Sequence, residues 1–286
     1  MAIEDDSLRL DLLQDFGSSA TYTDTSAGSS SSITVILTRE YVGVDPDAAV
    51  QVDGTSQTMI SIITALFDGN EAKNPPPAYS RKYYSEEWVE KLYRSIKRNY
   101  SDEFRFICLC DKGYEFVEPI ESIRFLDPSS GWTGILDALR PECGGRRFVV
   151  ALDTVITGNL DEILSFEGEC ALHSDPYNPS QLNNGVAFFN EEISAELWNE
   201  WNTRKDYWTE EIRYLGNCPS EMLFLRKNLN GRAERLDELH PGKILSWKAE
   251  IELQGIDPES CSIVYFHGRP KQSDLQDRDW IKRHWI

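Results

Sequence analysis

Between Arg147 and Ile156 the apolar positions stop alternating with polar ones. Phe148-Val149-Val150-Ala151-Leu152 run unbroken into one carboxylate, Asp153, before Thr154-Val155-Ile156 resume. An uninterrupted apolar run of about 4–8 residues is the pattern of a strand buried on both faces. Gly158-Asn159-Leu160-Asp161-Glu162 then reads as a turn that opens a helix. Upstream, Ser85 is placed to cap a helix whose Trp88, Leu92 and Ile96 share one face, with Val89 and Tyr93 beside them. Phe104–Leu109, Ile123–Leu126 and Ser262–Phe266 read as further strands. A helix is predicted over about Glu191–Trp208, and Pro219 is suited to begin another. Strands alternating with helices predict an α/β fold with a mostly parallel sheet flanked by helices. An acid is costly to bury where such a strand emerges, so Asp153 belongs at the sheet's carboxyl edge, where open α/β sheets bind ligands.

The first 66 residues follow another pattern. Ile33-Thr34-Val35-Ile36-Leu37 and Tyr41-Val42-Gly43-Val44 are short β signals around a Ser/Gly-rich stretch, Thr25 to Ser32, and Asp53-Gly54 marks a turn. Two basic residues face ten acidic ones there, and no lysine precedes Lys73. The chain therefore divides into a small β-rich segment, residues 1–58, and an α/β domain, residues 59–286. The net charge of −19 over 286 residues argues against a nucleic-acid binder, since phosphate neutralisation needs clustered Lys and Arg. Cys108, Cys110, Cys143, Cys170, Cys218 and Cys261 form no CxxC pair and no zinc spacing, and read as reduced structural thiols of a cytosolic protein. No apolar stretch approaches the roughly 20 residues that cross a bilayer. There is no G-x-S-x-G elbow, P-loop or G-x-G-x-x-G fingerprint.

Several ordered motifs carry a resemblance. They are Lys82-Tyr83-Tyr84 with Trp88-Val89 and Lys91-Leu92-Tyr93, Phe104-Arg105-Phe106-Ile107-Cys108, Arg140-Pro141, and Asp153-Thr154-Val155-Ile156-Thr157-Gly158-Asn159-Leu160-Asp161. Asn183-Asn184-Gly185-Val186 and His267-Gly268-Arg269-Pro270-Lys271 complete the set. From about Ile60 onward the chain resembles GT-A type glycosyltransferases, close to the glycogenin and lipopolysaccharide galactosyltransferase group. At the N-terminus, Asp15-Phe16-Gly17, Ala20-Thr21-Tyr22-Thr23, Glu40-Tyr41-Val42 and Asp53-Gly54-Thr55-Ser56 are similar to the first half of a small phage head–tail joining protein. That second likeness implies a viral protein, in the host cytoplasm or the virion, with phage structural proteins as partners.

The first resemblance implies transfer of a sugar from a nucleotide-diphosphate donor to a glycan or protein acceptor. It implies Mn²⁺ or Mg²⁺ held by an Asp-x-Asp, because oxygen ligands suit these ions and the leaving diphosphate gathers negative charge. The corresponding triplet here is Ala151-Leu152-Asp153, so one acid is a methyl group; residues 151 and 153 share a strand face, which leaves Leu152 unable to replace either. Ile135 stands where the family commonly has Lys, and Tyr265 where it has the metal His, three positions before Gly268. The expected metal ligands are Asp153 and His267. Gly268 and Lys271 are expected at the phosphates, Asp111 at the base or ribose, Asn183 at a sugar hydroxyl and Glu221 near the acceptor. His173 is a weaker candidate, and His240 and His284 read as surface or terminal residues. The Trp at 198, 201 and 208 read as packing. Two readings stay open: a glycosyltransferase with a degenerate metal motif, or a catalytically inactive structural or carbohydrate-binding protein of a phage virion.

Overall fold

The structure is a computed structural model that describes residues 18–24, 29–35, 59–68, 84–214 and 221–286. The chain divides into two units, Met1–Gln57 and Thr58–Ile286. In the first, β1 (Ser18–Asp24) pairs antiparallel with β2 (Ser29–Val35), Ser18 opposite Val35 and Asp24 opposite Ser29.

The second unit is built on a seven-stranded sheet in the order β10-β8-β9-β6-β3-β4-β5. Strands β3 (Ile60–Leu66), β4 (Phe104–Cys110), β5 (Glu121–Arg124) and β6 (Arg147–Val150) run parallel. Strand β9 (Asn178–Phe189) is antiparallel to β6 and to β8 (Cys170–Asp175), and β10 (Glu234–Arg235) extends the sheet parallel to β8. A smaller sheet holds β7 (Thr154–Ile156), β12 (Ile263–Tyr265) and β11 (Ile244–Ser246).

Alternation along the central strands fills two cores. Ile62, Phe106, Cys108, Phe148 and Val150 face the Glu86–Asn99 helix, which contributes Val89, Leu92 and Ile96. Ile63, Ile107, Leu109 and Val149 face the opposite way, onto the Glu191–Thr203 helix (Ile193, Leu197, Trp201), Trp208, and the Met222–Leu229 helix (Phe224, Leu225). Phe224 lies between two indoles, its ring centroid 5.4 Å from Trp201 and 5.1 Å from Trp208. A third cluster covers the small sheet, where Trp247 stacks on Phe266 and Trp280.

The mostly parallel α/β sheet flanked by helices is as the apolar pattern predicts, with three differences. The apolar run of Arg147–Ile156 is two strands in two sheets, parted at Ala151–Asp153. The helix expected through Trp208 breaks at Arg204 (φ −123°, ψ 26°) and restarts as Lys205–Tyr214. Pro219 lies outside the described residues. His240, read as a surface residue, is buried with Nδ1 3.7 Å from a Glu162 oxygen. The described cysteines are all free and buried; desolvation pushes the thiols of Cys143 and Cys261 up to about 11 and that of Cys170 up to about 12. Among the described residues no helix is long and apolar enough to cross a membrane.

Candidate active site

Because β3, β4 and β6 are parallel, the acids that follow them, Asp68, Asp111 and Asp153, lie along one carboxyl edge. At Val150 the chain leaves the large sheet. The Ala151 amide still donates to Gly185 O (2.9 Å), and Gln272 Nε2 donates to Leu152 O (2.9 Å). The Phe266 amide donates to Asp153 O (2.8 Å), which starts the ladder between β7 and β12. Asp153 is therefore held at the corner between two sheets, its backbone fixed by the strand that leads into His267.

Its carboxylate is occupied. Lys271 Nζ forms an ion pair with Asp153 Oδ2, and Tyr84 Oη donates to the same oxygen at 3.4 Å. The Lys271 side chain is 6% exposed and that of Asp153 16%. Lys271 begins a short turn, Gln272–Leu275, where its amide donates to Asp274 Oδ2 (2.9 Å). A buried ammonium needs such a partner, since desolvation otherwise costs several kcal/mol per ion.

Gly268 has φ +65°, a left-handed conformation that side chains disfavour. A Cβ there would lie 3.1 Å from Lys248 Nζ, so the lysine leans over bare backbone. His267 Nε2 sits 2.8 Å from Ser246 Oγ, and the ring meets Tyr177 edge-on (centroids 5.2 Å apart). Burial, then the charges of Lys248 and Lys271, holds the His267 imidazole below its usual range, so it is neutral at pH 7. Asp153 also acts on it, which places His267 in the same electrostatic neighbourhood as Lys271 and Asp153.

Asn183 uses Oδ1 to accept from the Gly185 amide (2.8 Å) and so shapes the stretch of β9 that bonds Ala151. Tyr265 lies beside Gly185 and is buried against His173, with Oη 3.5 Å from His173 Nδ1. Burial raises its phenol well above the usual range, so it is protonated. His173 is itself enclosed, with Nδ1 2.7 Å from Ser174 O and Nε2 3.1 Å from Ile244 O.

Two expected residues stand apart. Asp111 accepts from the Asp68 amide (3.0 Å) and from Tyr114 Oη (3.0 Å), so both its oxygens tie down the sheet edge. Glu221 precedes the Met222–Leu229 helix and receives Asn184 Nδ2 on one oxygen, while its buried Oε2 has no partner among the described residues. Desolvation raises its carboxyl. Asn184 also lines a small apolar cavity with Ile135, Leu136 and Leu225, where the missing lysine would have stood.

The group assembled here is Asp153, Lys271, His267 and Gly268, with Asn183 connected to it only through Gly185 and the backbone of Ala151. Tyr84, read from the sequence only as part of the Lys82-Tyr83-Tyr84 motif, joins it, as do Lys248 and Ser246, which the sequence did not single out. The residues present do not fit a divalent ion. Asp153 is already engaged, Ala151 has no donor atom, and Tyr265 is a protonated phenol turned toward His173. Among the described residues no cluster of three His, Cys, Asp or Glu is placed to hold a metal.

The two-faced, mostly parallel sheet, broken after its signature strand by a carboxylate corner, is the GT-A fold of glycosyltransferases. Among solved structures, the glycosyltransferase GlyE of Streptococcus pneumoniae TIGR4 matches with a TM-score of 0.54 at 12% identity, over 78% of this chain and 63% of that one. The galactosyltransferase LgtC, solved with donor and acceptor sugar analogs, matches with a TM-score of 0.50 at 12% identity, over 74% of this chain and 88% of that one. The bifunctional glycosyltransferase WbbM gives 0.50 at 10%, over 76% and 47%. The chain thus spans less than two thirds of the length of GlyE and of WbbM. No protein-family model matches the sequence, and no curated protein matches it. The head–tail likeness of the N-terminus gains no support from these matches. Of its motifs, Asp15-Phe16-Gly17, Glu40-Tyr41-Val42 and Asp53-Gly54-Thr55-Ser56 lie outside the described residues.

Proposed function

We propose that the Thr58–Ile286 unit is a glycosyltransferase domain that takes a sugar from a nucleotide-diphosphate donor and passes it to a glycan or protein acceptor. The observation that carries this reading is the buried Lys271–Asp153 pair at the carboxyl edge of a GT-A sheet, beside the bare backbone of Gly268. Rupture of the bond between the anomeric carbon and the donor's phosphate oxygen leaves charge on the diphosphate. An ammonium already fixed in place stabilises that charge without reorganising. In this reading Asp153 fixes Lys271, Gly268 lets backbone approach the phosphates, and Asn183 meets a sugar hydroxyl. Asp111 stands at the base or ribose, and Glu221 on the acceptor side.

The resident Mn²⁺ or Mg²⁺ expected from the sequence resemblance has no ligand set among these residues, so no step is assigned to it. The same gap favours the second reading, a domain that binds nucleotide sugars or glycans and does not turn them over. Ala151 and the pre-engaged Asp153 are what favour it.

A panel of UDP-, GDP- and CMP-sugars tests both. Donor at about 100-fold above Kd stabilises by roughly 2.7 kcal/mol, which for a unit of this size is a Tm rise of about 5–10 °C. Stabilisation with release of free nucleoside diphosphate supports the transferase. Stabilisation without release supports the binding domain, and no shift with any donor refutes both.

A further inference from the structure

We infer that the site holds its diphosphate ligand on two ammonium groups, Lys248 and Lys271, and needs no divalent cation to do so. The inference rests on the nucleotide-diphosphate reading above and names what takes the metal's place. A divalent ion at this corner would find one carboxylate, Asp153, already bound to a buried ammonium. The residue two positions earlier, Ala151, has no donor atom, and the ring nitrogen of His267 facing Ser246 is in use at 2.8 Å. To bind there, the ion would compete with Lys271, whose side chain is only 6% exposed and would lose its partner in a desolvated place.

Lys248 supplies the second charge. It follows Trp247, whose buried indole stacks against both Phe266 and Trp280, so its backbone is fixed. It is half-buried, and its ammonium leans over Gly268, 3.1 Å from the place a Cβ would occupy. Among the described residues no hydrogen bond or ion pair holds it. Lys271, by contrast, is anchored by its ion pair with Asp153. A half-buried, partnerless ammonium over exposed glycine backbone, in a chain of net charge −19, is placed for an anion. Lys248 overhangs Gly268, and Lys271 follows that glycine by three positions, so both lysines border the same turn. Two point charges with bare backbone between them match a diphosphate, whose oxygens accept from several donors at once.

Calorimetric titration of the full chain with UDP, GDP, CDP and inorganic pyrophosphate, each in EDTA and in Mn²⁺, tests the inference. At least one nucleoside diphosphate is expected to bind in EDTA with a Kd within about threefold of that in Mn²⁺. Lys248→Met should weaken it about tenfold, the loss of one charge-assisted hydrogen bond. The ligand-free Tm should not move, and Lys248→Arg should keep most of the affinity. Binding that appears only with Mn²⁺ overturns the inference and leaves the nucleotide-sugar reading standing. Silence in both conditions overturns both, and wild-type affinity in K248M removes Lys248 from the site.

Discussion

Replacing Lys271 with Met removes the ammonium but keeps an apolar stem of similar length, which isolates the charge. Asp153 would then keep only the Tyr84 hydroxyl, at 3.4 Å. Removing one partner of a buried pair costs about 3–5 kcal/mol, because the other charge is stranded. Asp153 retains some access to water, its side chain being 16% exposed, so about 2–3 kcal/mol is expected. That corresponds to a Tm lower by about 5–10 °C. Asp153→Asn alone strands the lysine and should cost a comparable amount. The double variant D153N/K271M strands nothing and should return to within about 1 kcal/mol of wild type, so the cycle yields a coupling of about 2 kcal/mol or more. Urea unfolding followed by far-UV circular dichroism on all four proteins measures it. Adding 1 M NaCl should change the coupling little, since a buried pair is poorly screened. If K271M unfolds within about 0.5 kcal/mol of wild type, or the two single losses simply add, the pair does not hold this corner and the reasoning fails.

Further expectations follow from other parts of the unit. Burial raises the Glu221 carboxyl, so the native state keeps a proton that the unfolded chain has lost; stability should fall as pH rises from about 4.5 toward the raised value. Glu221→Gln should flatten that slope in Tm-versus-pH scans, and an unchanged slope would clear Glu221 of causing it. Phe224→Ala removes a ring wedged between Trp201 and Trp208 and should cost about 3–5 kcal/mol; a loss below 1 kcal/mol in urea would mean the indoles close over the gap. Gly134→Ala would place a methyl 2.5 Å from Ser130 Oγ and 2.8 Å from the Phe125 ring. A loss of about 1–3 kcal/mol is expected, and wild-type stability would show that this turn gives way easily.

Much of the frame was legible because burial on both sides leaves an apolar run that nothing else produces. Phe104–Cys110 and Phe148–Val150 announced themselves in that way, and the stripe of Trp88, Leu92 and Ile96 did so at helical spacing. The break within Arg147–Ile156 was hidden, since Thr154-Val155-Ile156 is as β-prone as what precedes it and only its partner strand assigns it to another sheet. Strand β9 was hidden for the opposite reason: Asn178-Pro179-Ser180 and Asn183-Asn184-Gly185 are turn residues by composition, yet they pair with β8 through two register shifts. In the site, the acid on the signature strand and the Gly268–Lys271 run could be read from the chain. That Lys271 reaches Asp153 across 118 positions could not, and neither could the place of Lys248, an ordinary lysine until Trp247 and Gly268 fix its surroundings. His240 misled because a histidine between Leu239 and Pro241 looks like loop, whereas the turn folds inward.

The small sheet of β7, β11 and β12 also sets an order of assembly. The large sheet, apart from its short edge strand β10, is complete once residues up to Phe189 have paired, and its two cores need little beyond Leu236. Asp153, on the other hand, has no ammonium until Lys271 arrives, and Ser246, Lys248, His267 and Gly268 all lie in the last 41 residues. Before Lys271 is present, the Tyr84 hydroxyl is the nearest partner left to that carboxylate. A chain cut after Leu239 would keep the strands of the large sheet and carry none of Ser246, Lys248, His267, Gly268 or Lys271. The corner around Asp153 thus draws its ammonium from a turn, Gln272–Leu275, that follows every strand of the large sheet in the sequence.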